Sequence, residues 1–194
     1  MRDLASVATV GLLGVIAVTS AGCFLDYEPP PKPVSNWTVE QARLFNEFQV
    51  YWLGESYEGL PLTSMRLTVD GDDVTHTTFS YGEPSLVAGN SGQSWLPPLE
   101  VDIQPYCGFS PEEFLEHAGD GVIGIQIRGV DGYLERYSDN SAYLVLWTGS
   151  STIYLSTGKT ELDIEQVARD LIPIAGSAGA PPPPFPPLIT TKCR

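Results

Sequence analysis

Few residues in this 194-residue chain stand at the spacings that chemistry requires. Gly158-Lys159-Thr160 reproduces the end of a phosphate-cradling loop, but that loop needs a second glycine five residues earlier, where Ile153 stands. Ser156 and Lys159 have the Ser-x-x-Lys spacing of a serine acyl-enzyme, and Ser138-Asp139-Asn140 spells the triplet that accompanies it. The triplet here comes before the Ser-Lys pair, no Lys-Thr-Gly is present, and Ser156 ends an expected strand instead of opening a helix. Both motifs read as turns. Asp70-Gly71-Asp72-Asp73 offers the hard oxygen ligands that calcium takes, without the EF-hand spacing or its closing Glu, and reads as a polar hairpin tip. His76 and His117 stand alone, and no two cysteines are close in sequence, so no metal site is expected. The chain shows no catalytic constellation and implies no cofactor.

Carboxylates and aromatic rings are the remaining groups with chemical reach. Glu112/Glu113 and Glu161/Asp163 fall in expected first turns of helices, where negative charge is favoured without any catalytic role. Sugar hydrolysis needs two carboxyl groups about 5–10 Å apart, and a linear sequence does not say which acids meet. Among the aromatics, Tyr51, Trp52 and Tyr57 cluster ahead of Gly59-Leu60-Pro61-Leu62, Trp95 lies in a polar segment, and Tyr143 and Trp147 share one face of an expected strand. Exposed Trp and Tyr offer flat contact area at low entropic loss, which suits sugars and protein partners. The candidate binding surface is therefore Trp95, Tyr57 and Trp52, for a protein or carbohydrate ligand. The 24 acidic and 10 basic residues leave a net charge of −14, which repels nucleic acid and reads as solubility.

The elements that would carry these residues follow from periodicity and punctuation. Asn36 or Thr38 opens a helix, with Thr38 and Gln41 spaced as a capping box and Val39, Ala42, Leu44, Phe45 and Phe48 at helical intervals. Residues 50–54 read as a short buried strand or turn. Residues 62–69 and 74–81 read as strands joined at Asp70-Gly71, residues 83–98 as a long loop, and 99–103 as a cleanly alternating strand. Ser110-Pro111-Glu112-Glu113 starts a short helix. Two hairpins follow, 122–128 with 133–137 and 143–147 with 152–155. A last helix spans 162–172, stopped by Pro173. Strands bracketed by helices, without βαβ alternation, give the expected class: α+β, an antiparallel sheet of about six to seven strands with N- and C-terminal helices packed on it.

Residues 4–21 carry no charge, and Val10-Gly11-Leu12-Leu13-Gly14-Val15-Ile16-Ala17-Val18 forms the apolar body of a secretory signal behind a thin positive start at Arg2. Ser20-Ala21-Gly22-Cys23 closes that run. This order resembles the lipobox of bacterial lipoproteins, with Ser20 standing where the family usually has Leu or Val. The resemblance covers residues 1–23 alone. It implies cleavage before Cys23, a lipid on its sulfur, and residence at the cell membrane facing outside the cytoplasm. An uncleaved anchor and an ordinary cleaved signal stay open, since a span takes about 20 apolar residues and residues 4–25 are just long enough.

Three cysteines in an exported chain call for an explanation. If the resemblance holds and Cys23 is acylated, Cys107 and Cys193 are left to pair in an oxidising compartment; a buried thiol with a frayed tail is the alternative. The expected organisation is a signal peptide at 1–22, a lipidated cysteine and Pro-rich tether at 23–36, a globular domain at 37–175 and a Gly/Pro-rich strap at 176–194. Glu28-Pro29-Pro30-Pro31-Lys32-Pro33 is stiff enough to hold the domain off the membrane, and Pro181 to Pro187 favours polyproline geometry. Function is then expected to be that of a monomeric, lipid-anchored, non-enzymatic binding or structural module. The alternative is a hydrolase acting on wall or extracellular polymer through unidentified carboxylates.

Overall fold

The computed structural model describes residues 32–35, 37–70, 73–89, 92–106, 111–117, 121–158, 161–175 and 182–189. In chain order the elements are β1 (Lys32–Ser35), α1 (Val39–Leu44), β2 (Tyr51–Trp52), β3 (Ser56–Tyr57), β4 (Leu60–Asp70), β5 (Asp73–Tyr81), β6 (Ser85–Gly89), β7 (Gly92–Leu96) and β8 (Leu99–Pro105). They continue with α2 (Pro111–His117), β9 (Val122–Ile127), β10 (Val130–Arg136), β11 (Ala142–Thr148), β12 (Ser151–Thr157), α3 (Ile164–Asp170) and β13 (Ile172–Pro173). One antiparallel sheet dominates, in the order β1-β4-β5-β8-β12-β11-β10-β9, with β3 added beside β4. The class is β-rich, a correction to the α+β expectation.

The correction has local causes. Thr38 caps α1 as its spacing predicts: its Oγ1 accepts the Gln41 N–H at 3.2 Å, and Gln41 Oε1 accepts the Thr38 N–H at 2.8 Å. The helix nevertheless stops at Leu44, which is 82% exposed, because Phe45 turns extended. Phe45 and Phe48 sustain a helical spacing in sequence, but their rings pack edge-on at 4.9 Å and Phe45 meets Trp37 at 5.7 Å. At the other end, Asp163 caps α3 through the Glu165 N–H, and Leu171 leaves the helix. Ile172 precedes a proline, which disfavours helical backbone, and Ile172–Pro173 pairs with β2 instead. The expected loop at 83–98 is the hairpin β6–β7, paired from Ser85↔Leu96 to Gly89↔Gly92. Residues 32–35, expected as tether, are the first strand of the sheet, running from Lys32↔Val69 to Ser35↔Arg66.

Alternation along the central strands divides the sheet into two faces. Phe79, Tyr81, Val101, Ile103, Leu144, Leu146, Ile153 and Leu155 point inward and are fully buried or nearly so. Ala42, the Phe48–Leu53 segment, Ile164, Val167, Leu171 and Phe185 of the strap close over them. Each such side chain contributes about 1.5–3 kcal/mol by leaving water. Arg128 and Gly129 form the two-residue turn between β9 and β10, with φ of 51° and 88°, the left-handed pair that matches hairpin twist. Gly132 lies where a Cβ would sit 2.3 Å from the Val145 carbonyl oxygen, so only glycine lets β10 approach β11 there. The strap runs extended across the Gly149 turn: the Gly149 N–H donates to Pro186 O at 3.0 Å, and the Ile189 N–H donates to Gly149 O at 2.7 Å.

Candidate functional site

The outer face of the sheet carries the polar and aromatic side chains. Its register sets two neighbouring rows across the strands. One runs Arg66↔Thr78↔Asp102↔Tyr154↔Val145↔Tyr133. The other runs Ser64↔Ser80↔Glu100↔Ser156↔Tyr143↔Glu135. Both rows are polar over β4, β5 and β8, with one acid each on β8, and over β12, β11 and β10 the first adds Tyr154 and Tyr133 and the second Tyr143. The seam between the two halves is a depression of about 320 Å³, lined by Glu100, Asp102, Gln104, Tyr143, Tyr154 and Ser156. It shares Gln104 and Tyr154 with a hollow on the aromatic side and Glu100, Tyr143 and Ser156 with another bordered by Leu96 at the end of β7. Together they form a groove along the face.

Glu100 and Asp102 are two residues apart on β8, so their carboxyl groups leave one side of one strand about 7 Å apart. Glu100 is tied to its neighbours: Arg66 stands 3.5 Å from Oε2, and Ser80 Oγ donates to the same oxygen at 3.4 Å. Asp102 Oδ2 accepts from Thr78 Oγ1 at 3.0 Å. Its Oδ1 is buried, and the neighbouring Gln104 amide favours the charged form. Burial pushes both carboxyls above the usual carboxylate range. Arg66 opposes that rise most at Glu100, and His76 and Thr78 oppose it at Asp102.

On the aromatic side the rings form a ladder. Tyr154 and Tyr143 lie nearly parallel with centroids 6.2 Å apart, Tyr143 meets Tyr133 at 6.1 Å, and Phe114 of α2 stacks on Tyr133 at 4.3 Å. Trp147 closes the cluster at 5.7 Å from Tyr133. The hydroxyls of Tyr133 and Tyr143 are neighbours that influence each other's ionisation, and Asp102 repels the phenolate forms of Tyr143 and Tyr154. Desolvation is the main reason all three phenols are raised, Tyr133 to about 12. At neutral pH the phenols therefore act as neutral hydroxyls beside a pair of acids. The set can accept and donate hydrogen bonds and offer ring surface. Among the described residues no three His, Cys, Asp or Glu side chains gather as metal ligands would.

The three aromatics expected to form a binding surface do not meet. Trp52 is buried in the core at 4% exposure, so it belongs to packing rather than to a surface. Tyr57 is half-buried, and its hydroxyl donates to Asp170 Oδ2 at 2.9 Å, fastening β3 to the end of α3. Trp95 is 69% exposed on β7, opposite Leu86. Cys23, Cys107 and Cys193 lie outside the described residues. Tyr143 and Trp147 do share a face, as their spacing implies, and that face is the one with the groove. Sequence reasoning missed Glu100 and Asp102 as site residues, although the alternation from Leu99 to Ile103 exposes both on one side. No family model, curated protein or solved structure matches this chain.

Proposed function

We propose that this chain is an exported, lipid-anchored envelope protein that binds through the outer face of its sheet and does no chemistry there. The apolar run ending at Ser20-Ala21-Gly22-Cys23 supports export and acylation at Cys23. Among the described residues, no helix is long and apolar enough to cross a membrane. The binding reading rests on one observation: Asp102 and Glu100 border a groove whose far wall is Tyr154 and Tyr143. A hydrolase would set its two carboxyl groups on opposite sides of the scissile bond. Here both leave the same strand in the same direction, so a ligand lying on the face meets them from one side only. That geometry holds a ligand without flanking a bond.

A paired Cys107 and Cys193 belongs to the same reading. Tyr106 donates its N–H to Ser150 O at 2.7 Å, and Ile189 donates to Gly149 O. The residues leading to the two cysteines thus converge on one turn, which supports the pairing.

The test is made in cells and on isolated envelopes. A fatty-acid probe is expected to label the wild type and not Cys23→Ala; equal labelling removes the anchor. The purified full chain is expected to bind envelope preparations, with loss in Tyr143→Ala/Tyr154→Ala and retention in Trp95→Ala. Loss with Trp95→Ala alone would move the binding surface to the hairpin. Steady release of soluble fragments by wild type but not by Asp102→Asn would make the protein a hydrolase.

A further inference from the structure

We infer that the depression over β8, β12 and β11 takes an uncharged saccharide, seated on Tyr143 and Tyr154 with its hydroxyls directed at Asp102, Glu100 and Gln104. The inference rests on the outer face being the binding surface and adds the class of ligand.

Three features select this class. The first is a pair of acceptors. The carboxyl groups of Glu100 and Asp102 both line the depression, and each holds one hydroxyl of β5, from Ser80 and Thr78. A carboxylate has about four lone-pair sites, so each acid can still accept from a ligand hydroxyl laid on the face. The second is the mixture around it. The Gln104 amide, the Ser156 hydroxyl and the phenols of Tyr143 and Tyr154 can each donate, and each accepts as well. A ligand with several adjacent hydroxyls answers such a lining group by group, since every hydroxyl is also both donor and acceptor. The third is ring surface. Tyr143 and Tyr154 lie nearly parallel at 6.2 Å on the same face, and the C–H side of a sugar ring packs on such rings while its hydroxyls reach the acids.

Charge removes the nearest competitors. Two carboxyl groups in the groove and a net charge of −14 repel phosphate, sulfate and uronate. A quaternary ammonium would need carboxylates free to pair with it. Glu100 is already paired with Arg66 at 3.5 Å, and Asp102 accepts from Thr78. The depression of about 320 Å³ sits at the small end of the range for ligand clefts, about 300–1,000 Å³, which fits one or two sugar residues.

The full chain, purified in detergent, is titrated with neutral hexose and N-acetylhexosamine oligosaccharides by saturation-transfer NMR and calorimetry. Glucuronate and tetramethylammonium chloride are run alongside. Binding is expected for at least one neutral oligosaccharide and for neither charged probe. Asp102→Asn, which keeps size and shape, is expected to weaken it about tenfold through loss of a hydrogen bond to a charged acceptor. Tyr154→Ala is expected to weaken it by a similar factor or more, and Trp95→Ala to leave it unchanged. The inference is overturned by tetramethylammonium binding in place of sugar, by sugar binding that Asp102→Asn leaves intact, or by no binding across the panel. In that last case, envelope binding that still depends on Tyr143 and Tyr154 would keep the outer face as the binding surface and discard the saccharide alone.

Discussion

Replacing Arg128 with Met is expected to loosen the C-terminal strap and destabilise the fold by about 3 kcal/mol. Arg128 joins three pieces of chain. Its guanidinium donates to Arg169 O at 3.3 Å and to Leu171 O at 2.5 Å, two carbonyls that α3 leaves open at its C-terminal end. It also donates to Pro183 O, and its Cζ stands 3.9 Å above the Phe185 ring. Hydrogen bonds from a charged donor contribute about 1.5–3 kcal/mol each when well desolvated, and a cation over a ring about 0.5–2 kcal/mol. Two of the three carbonyl contacts are exposed, and Nε is buried without a partner. Those facts bring the sum toward the lower end, hence about 3 kcal/mol.

Met keeps much of the aliphatic stem and has the same disfavour for the positive φ at this turn, so backbone strain does not confound the comparison. Thermal unfolding reads the effect as a midpoint lowered by about 6–12 °C, at roughly 2–4 °C per kcal/mol for a domain of this size. Amide exchange locates it: the Gly149 and Ile189 N–H groups, both bonded across the strap, are expected to exchange faster in the variant than the β8–β12 amides do. Arg128→Lys should fall between, since an ammonium retains the charge but cannot reach several carbonyls in one plane. A Met variant within about 1 kcal/mol of wild type, with unchanged exchange at Ile189, would refute the role of Arg128 as the strap's fastening.

Two further outcomes follow from the site and the cysteines. Because burial raises Asp102 and Glu100, the folded chain binds their protons more tightly than the unfolded chain does. Their stabilising contribution is present in full below the unfolded carboxylate range and is lost as pH rises through the higher folded values. Chemical-denaturation curves should therefore show Asp102→Asn gaining on wild type as pH rises from that range to neutrality, and a constant difference would contradict the burial. Non-reducing peptide mapping should join Cys107 to Cys193, and the double Ser variant should lose about 2–4 kcal/mol; two free thiols would end the pairing.

Local signals were readable in the sequence to the extent that local forces decide them. Thr38 and Gln41 announce a capping box because its two bonds join residues three apart. The strand at Leu99–Pro105 announces itself because one face is core and the other is not. The site was not readable for the opposite reason. Asp102 faces Tyr154, and Glu100 faces Ser156, only through a strand pairing that spans some fifty residues of chain. The β6–β7 hairpin escaped because its Gly, Ser and Gln residues give no alternation, its order resting on backbone pairing such as Leu86↔Trp95. Trp52 misled because an aromatic residue in a short two-residue strand looks the same whether its ring packs inward or out. Its neighbour Tyr51 is buried as well, with its ring edge-on to Phe185 at 5.2 Å, a contact that the strap supplies from far along the chain.

The groove and the core are two outputs of one alternation, and that ties binding to folding in a specific way. Along β8 the residues Leu99, Val101 and Ile103 enter the core while Glu100, Asp102 and Gln104 face the groove. A slip of one residue against β12 would turn two acids into the core and three apolar side chains into the groove, so the core fixes the register that assembles the site. Gly132 acts on the same geometry one strand further along: its missing Cβ permits the close approach to Val145 O that sets β10 against β11, and hence Tyr133 beside Tyr143. Site residues therefore stand on central strands rather than on loops, with backbones held on both sides by hydrogen bonds. A ligand on the proposed binding face would order little that is not already ordered, so the proposal requires no lid over a shallow face.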